Sequence, residues 1–151
     1  MTPEAVELVR RSLAQATVDP IALADRFRIR LAQQSPEAAA LFGADLARHQ
    51  TAFAPALVGL VAALDHVEDL VHLGGELGAA HAAHGVRPAH ARAGIEALVT
   101  AVDDTIGGID DATKEAWRLV GNLVAETMAR GVAAPRMPTL TDRWSSTPSN
   151  A

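Results

Sequence analysis

The chain has 151 residues, enough for one domain with a core that is stable on its own. Hydrophobic residues make up 49% and charged residues 21%, which is too apolar a balance for a disordered protein. The formal charge of −5 argues against nucleic acid as a partner, and the absence of cysteine excludes disulfides, thiolate zinc sites and thiol nucleophiles.

Neither a membrane segment nor a targeting segment is evident in the chain. Apolar runs fall short of membrane-spanning length, and the N-terminus lacks the charged and then apolar order of a signal peptide. We therefore expect no membrane association and a cytoplasmic location.

The first three predicted helices each begin with a polar cap followed by proline. Thr2-Pro3 opens the first helix, Asp19-Pro20 the second, and Ser35-Pro36 a short third helix that ends near Phe42-Gly43. The second helix carries an apolar face at four-residue spacing, formed by Leu23, Phe27 and Leu31.

Four longer helices follow in the pattern. One is predicted over about residues 45–64, where Pro55 is expected to introduce a kink, and the next ends at Gly85. Two more are predicted over residues 88–108 and 110–131. The helix that ends at Gly85 has one face formed by Leu70, Leu73, Leu77 and His81.

Seven helices without a convincing strand predict an all-α protein. Their uneven lengths and the short third helix favour an irregular fold over a regular bundle. The end of the chain is rich in Pro, Ser and Thr, so we predict a folded domain over residues 1–132 and a flexible tail over 133–151.

His81 is the first candidate for metal chemistry. It lies four residues after Leu77, so its Nδ1 is expected to donate a hydrogen bond to the Leu77 carbonyl and leave Nε2 to bind iron. The small residues Gly78, Ala79 and Ala80 would let the helix approach a flat ligand closely. A histidine that simply packs in the core fits the spacing equally well.

His49 lies on the apolar stripe of the fourth helix, one turn before Phe53. Taken alone, it resembles a partly exposed residue at a helix end. Across a pocket from His81, it would donate a hydrogen bond to a bound ligand or coordinate the metal itself.

A zinc site is a second interpretation of the histidines. His81 and His84 are three residues apart on one helix, and His90 follows nearby. We disfavour this site because the chain turns between Gly85 and Pro88 and offers no convincing fourth ligand. His84 is instead expected at the rim of a pocket, and three histidines are expected on the surface: His66, His72 and His90.

Arg28 belongs to a run of alternating arginines on the second helix, whose members cannot all point one way. A surface position is the default for such a run. An inward Arg28 would pair with a carboxylate or hydrogen-bond an anionic ligand. Phosphate-binding loops, a serine nucleophile elbow and paired catalytic carboxylates are missing from the sequence.

Several segments together resemble the globin family, in particular the short single-domain bacterial type related to flavohaemoglobins and neuroglobins. The resemblance covers about residues 3–131 and implies a three-over-three helical sandwich around haem b, with His81 as the axial iron ligand. The segments that carry it are Ser35-Pro36-Glu37 through Leu41-Phe42, Val67-Glu68-Asp69-Leu70, Leu77 to His81 with Gly85-Val86-Arg87-Pro88, and Glu115-Ala116-Trp117.

The resemblance also assigns the walls of the pocket. It places His49 at the distal position as a second, distal candidate ligand of the iron, Phe53 one turn later, and Val86 at the haem edge. The residues expected to contact the cofactor are Phe27, Arg28, Phe42, His49, Phe53, Leu77, His81, His84 and Val86.

Three positions depart from the bacterial pattern. Arg28 stands where relatives carry a tyrosine that hydrogen-bonds bound oxygen. Ala91 and Val132 (or its neighbour) stand where a tyrosine and a glutamate make the proximal histidine electron-rich. His81 is therefore expected to remain an ordinary neutral imidazole.

The resemblance implies reversible binding of oxygen, nitric oxide or CO. The alternative is a haem enzyme acting as a nitric oxide dioxygenase, a nitrite reductase or a peroxidase-like catalyst, with Arg28 binding an anion and an external reductase supplying electrons. A haemless interaction module is a third interpretation, against which His81 argues. The sequence is compatible with either a monomer or a homodimer.

Overall fold

The computed structural model describes residues 1–41 and 46–133. Within them it has seven α-helices and two short 3-10 turns, over Ala63–Asp65 and Pro88–His90, which confirms the predicted all-α class. The helices are α1 (Pro3–Ala16), α2 (Pro20–Gln34), α3 (Pro36–Ala40), α4 (Leu46–Ala62), α5 (Val67–Ala83), α6 (Ala91–Ile106) and α7 (Asp111–Ala133). None of the helices in these two ranges has the length and apolar character needed to cross a membrane.

Polar caps start four of the helices, as their sequence positions predict. Each cap side chain accepts a hydrogen bond from the backbone N–H three residues later, which satisfies a donor that the first helical turn leaves unpaired. The pairs are Thr2 with Ala5 (3.2 Å), Asp19 with Ala22 (3.0 Å), Ser35 with Ala38 (3.2 Å) and Asp110 with Thr113 (2.8 Å).

Three helix boundaries differ slightly from the prediction. α4 continues past Pro55 to Ala62 and then tightens into the first 3-10 turn. The segment that begins at Pro88 is a 3-10 turn before α6 starts at Ala91. α7 runs to Ala133, so Val132 is helical, and the rest of the predicted tail lies outside the described residues.

The helices form the predicted three-over-three sandwich. One layer holds α1, α4 and α5, and the other holds α2, α6 and α7; α1 and α5 pack on α7, and α4 packs on α2. The core between the layers is centred on Trp117, whose Nε1 donates to Ser12 Oγ at 2.8 Å. That bond satisfies the one polar atom of the largest buried side chain.

α5 and α7 cross very closely, and the crossing depends on glycine. An added Cβ on Gly74 would overlap the Thr127 side chain, and one on Gly78 would overlap the Met128 backbone. The expectation that Gly78 serves the approach of a flat ligand is therefore wrong, because α7 occupies the space beside it. Ala79 and Ala80 are exposed.

Candidate functional site

Two consecutive helices diverge to frame the candidate site. α4 packs on α2 while α5 packs on α7, so α4 and α5 make little direct contact although one short turn joins them. His49 lies 14 residues before Ala63, and His81 lies 16 residues after Asp65. At about 1.5 Å per residue, each histidine lies roughly 21–24 Å along its helix from the turn, and we call the two helices the arms of a V.

His81 makes the predicted hydrogen bond on its own helix. Its ring is half-buried, and Nδ1 lies 2.8 Å from the Leu77 carbonyl oxygen. A carbonyl only accepts, so Nδ1 carries a proton, and in the neutral form of the ring Nε2 has the lone pair. Nε2 is therefore the nitrogen that can bind a metal.

The helix end after His81 is closed by a glycine turn. Gly85 adopts φ 85°, a left-handed conformation that an L side chain rarely accepts. The Val86 N–H donates to the His81 carbonyl at 3.0 Å, and the Gly85 N–H donates to the Ala82 carbonyl at 3.0 Å. These two hydrogen bonds hold half-buried Val86 close to the end of the helix that carries His81.

The other two histidines near this corner differ from each other and from His81. His84 has the same local bond, with Nδ1 2.8 Å from the Ala80 carbonyl oxygen, but its ring is exposed. His90 was expected on the surface, and that expectation is wrong, because its side chain is only 12% exposed. Its Nδ1 accepts from the Arg87 N–H at 3.0 Å, and its Nε2 lies 3.7 Å from Glu37 on α3.

His81, His84 and His90, the three histidines of the alternative zinc site, therefore do not come together. The turn at Gly85 leaves His84 in solvent while His90 packs toward α3. Across residues 1–41 and 46–133, no group of three or more His, Asp or Glu side chains is placed to hold a metal ion. His66 and His72 are exposed, as expected.

At the other arm of the V, two of the expected pocket residues lie on α4, and a third, Phe27 of α2, packs beside them. The ring centroid of Phe27 is 4.7 Å from that of Phe53 and 6.2 Å from that of His49, and His49 is 5.3 Å from Phe53. All three rings are half-buried, so they form an aromatic wall with one polar member. Phe42, the fourth aromatic residue expected here, lies outside the described residues.

The environment of His49 favours its neutral form. Burial lowers the pKa of its imidazole, the positive charge of Arg28 lowers it further, and Asp25 partly opposes both effects. A neutral imidazole has one N–H that donates and one nitrogen that accepts.

A polar cluster, which we call the Asp25 cluster, borders the aromatic wall and consists of Asp25, Arg28 and Gln50. Asp25 Oδ1 accepts from Gln50 Nε2 at 2.8 Å and lies 3.7 Å from Arg28 Nη2. The sequence singled out Arg28 alone. The three-residue spacing of Asp25 and Arg28 on α2 was the available signal, whereas Gln50 comes from α4 and gave none.

The donor set fits a flat apolar ring that carries a metal. One arm offers a half-buried imidazole whose Nδ1 is bonded to a backbone carbonyl, and the other offers an aromatic wall. Such a combination suits haem, whose faces are apolar and whose iron takes an imidazole ligand. Leu77, also expected at the cofactor, packs half-buried against the apolar cluster beneath α5.

Comparison with known proteins agrees with this architecture. The family model described as globin matches residues 28–128, about two thirds of the chain, and the matched range includes both arms of the V and both candidate histidines. No curated protein matches the chain. The chain therefore belongs to the globin family.

Proposed function

We propose that this globin binds haem b through His81 Nε2 and reversibly binds a neutral diatomic gas, as the single-domain bacterial type does. The observation that carries the proposal is the 2.8 Å bond from His81 Nδ1 to the Leu77 carbonyl, made by a half-buried ring on one arm of the V. Haem held by His81 would supply the iron to which oxygen, nitric oxide or CO binds.

The remaining residues have roles that follow from their positions. Leu77 orients the His81 ring through its carbonyl, and the turn at Gly85 holds Val86 beside the same ring. Phe27 and Phe53 keep water from the distal side, where neutral His49 offers a hydrogen bond to the ligand.

The test compares two histidines with the same local bond and different burial. The purified full-length protein, its His81→Ala variant and its His84→Ala variant are each titrated with hemin, and the Soret absorption is followed. Wild type and His84→Ala are expected to bind one haem per chain, since exposed His84 lies outside the proposed coordination. His81→Ala is expected to lose stable haem and to recover the band when free imidazole is added.

Two results would contradict the proposal. One is a wild-type chain that takes up no haem, which would favour the haemless interaction module. The other is a His81→Ala variant whose haem content and spectrum match those of His84→Ala. Binding of CO to the reduced protein, followed by its release under light, then tests the open axial position.

A second candidate function rests on Arg28, whose charge acts on His49 and therefore lies near the distal side. A cation there favours a haem enzyme that binds a small anion such as nitrite, with an external reductase supplying electrons. The test measures nitrite consumption by the reduced protein and its Arg28→Gln variant. A rate that falls several-fold in Arg28→Gln supports the enzyme, and an unchanged rate removes Arg28 from it.

A further inference from the structure

Asp25 connects two helices at the edge of the distal wall. Its Oδ1 receives the Gln50 side-chain amide from α4 at 2.8 Å and faces Arg28 of α2 at 3.7 Å. Gln50 is the chain neighbour of His49, and Arg28 is the neighbour of Phe27. The carboxylate is therefore held within the Asp25 cluster, close enough for its charge to act on His49.

The charges of Arg28 and Asp25 oppose each other at this place. Arg28 alone would present a permanent positive charge, which attracts small anions. A carboxylate 3.7 Å from that guanidinium forms a dipole with it, whose field falls off faster with distance than that of a single charge. Both side chains are about one third exposed, so the pair borders the site without being sealed in the core.

We propose that Asp25 is a specificity-determining residue: it cancels the charge of Arg28 beside the distal wall, so the site favours neutral diatomic ligands over small anions. This inference rests on the proposed function, because the ligands it distinguishes would bind at the haem iron. It also explains how this chain can carry an arginine in the distal region and still act on neutral gases.

The experiment measures azide and imidazole binding to the hemin-loaded ferric protein at low ionic strength, where exposed charges are least screened. Azide probes an anionic ligand and imidazole a neutral one. Asp25→Asn removes the charge and keeps an oxygen for Gln50. Asp65→Asn is the matched control, because Asp65 also pairs with an arginine (Arg10, 2.6 Å) but lies at the turn of the V, far from His49.

Asp25→Asn is expected to raise azide affinity about threefold to tenfold, the size expected for one uncompensated charge several ångströms away in a partly hydrated site. Imidazole affinity should stay within about twofold, since a neutral ligand does not respond to that charge. Arg28→Gln should lower azide affinity below wild type, because the Asp25 carboxylate then remains alone. Asp65→Asn should match wild type for both ligands.

A second readout does not need haem. In the full-length apo-protein, the Arg28 Nε–Hε resonance is expected to shift in Asp25→Asn and to stay in place in Asp65→Asn. An ion pair this exposed contributes little to stability, so Asp25→Asn is expected to fold. If Asp25→Asn does not fold, Arg28→Gln tests the same ion pair.

The outcomes separate the two proposals. A wild-type chain that binds no hemin overturns the proposed function and this inference with it. A chain that binds hemin, with equal azide affinity in Asp25→Asn and Asp65→Asn, overturns the inference alone. An unshifted Arg28 resonance in Asp25→Asn also overturns it, because the ion pair would then be absent.

Discussion

At the scale of single residues, His49 shows how the fold sets a side chain's charge. Burial and the nearby Arg28 both oppose protonation of its imidazole, and Asp25 compensates only in part, so its pKa in the folded protein lies below 6.5. In the unfolded chain the same ring is hydrated and far from Arg28. Between the two pKa values the unfolded chain binds a proton that the native protein does not, so stability rises with pH across that window.

We expect His49→Gln to remove this part of the pH dependence. In wild-type apo-protein the free energy of unfolding should fall as the pH decreases from about 6.5 toward the folded pKa, because protons favour the unfolded chain there. Urea unfolding followed by circular dichroism at several pH values measures it. His72→Gln, which removes an exposed histidine from α5, is the control. It should keep the part of the pH dependence of unfolding that comes from His49. A wild-type slope equal to that of His49→Gln would contradict the assignment.

The contacts that the sequence predicts are those between residues a few positions apart in the chain. The bond from His81 to Leu77 follows from four-residue helix geometry, and the polar caps follow from three-residue spacing. The expected surface position of His90 is wrong, and its partner Glu37 belongs to α3, 53 residues earlier in the sequence. Gln50 gave no signal for the same reason, since its partner Asp25 belongs to another helix.

At the scale of elements, the crossing of α5 and α7 fixes the helix that carries His81. Gly78 lies against the Met128 backbone, which cannot move aside as a flexible side chain can. The positions of α5 and α7 along the sequence were predictable from caps and glycine stops, but their close approach was not, because Gly78 and Met128 are 50 residues apart.

Gly78→Ala is therefore expected to destabilise the protein by about 1–3 kcal/mol, the usual cost of overpacking a tight interface. Gly94→Ala, in the first turn of α6 with no atom within 4 Å of the added methyl position, is the matched control. It should stabilise by about 0.4–1 kcal/mol through better helix propensity and a less disordered unfolded state. Urea unfolding of both variants measures the difference, and equal stabilities would show that α7 does not press on Gly78.

At the scale of the whole molecule, α4 and α5 diverge because each packs on a different partner in the opposite layer. The half-buried rings of His49 and Phe53 lie on α4 with Phe27 of α2 beside them, and the half-buried ring of His81 lies on α5. A flat apolar ligand between the arms would bury these surfaces only in the native protein, since unfolding takes the arms apart. Binding and folding are therefore coupled.

Hemin is expected to raise the melting temperature of the wild-type protein, and the rise should grow with hemin concentration. Ligand at about a thousand times its dissociation constant stabilises by about 4 kcal/mol when it binds only the folded chain. His84→Ala should show the same rise, because the His84 ring is exposed at the end of the same helix. His81→Ala should lose most of it, since hemin held by apolar contacts alone binds weakly. Thermal unfolding followed by circular dichroism tests this, and an equal rise in both variants would mean that hemin associates with the surface and not through His81.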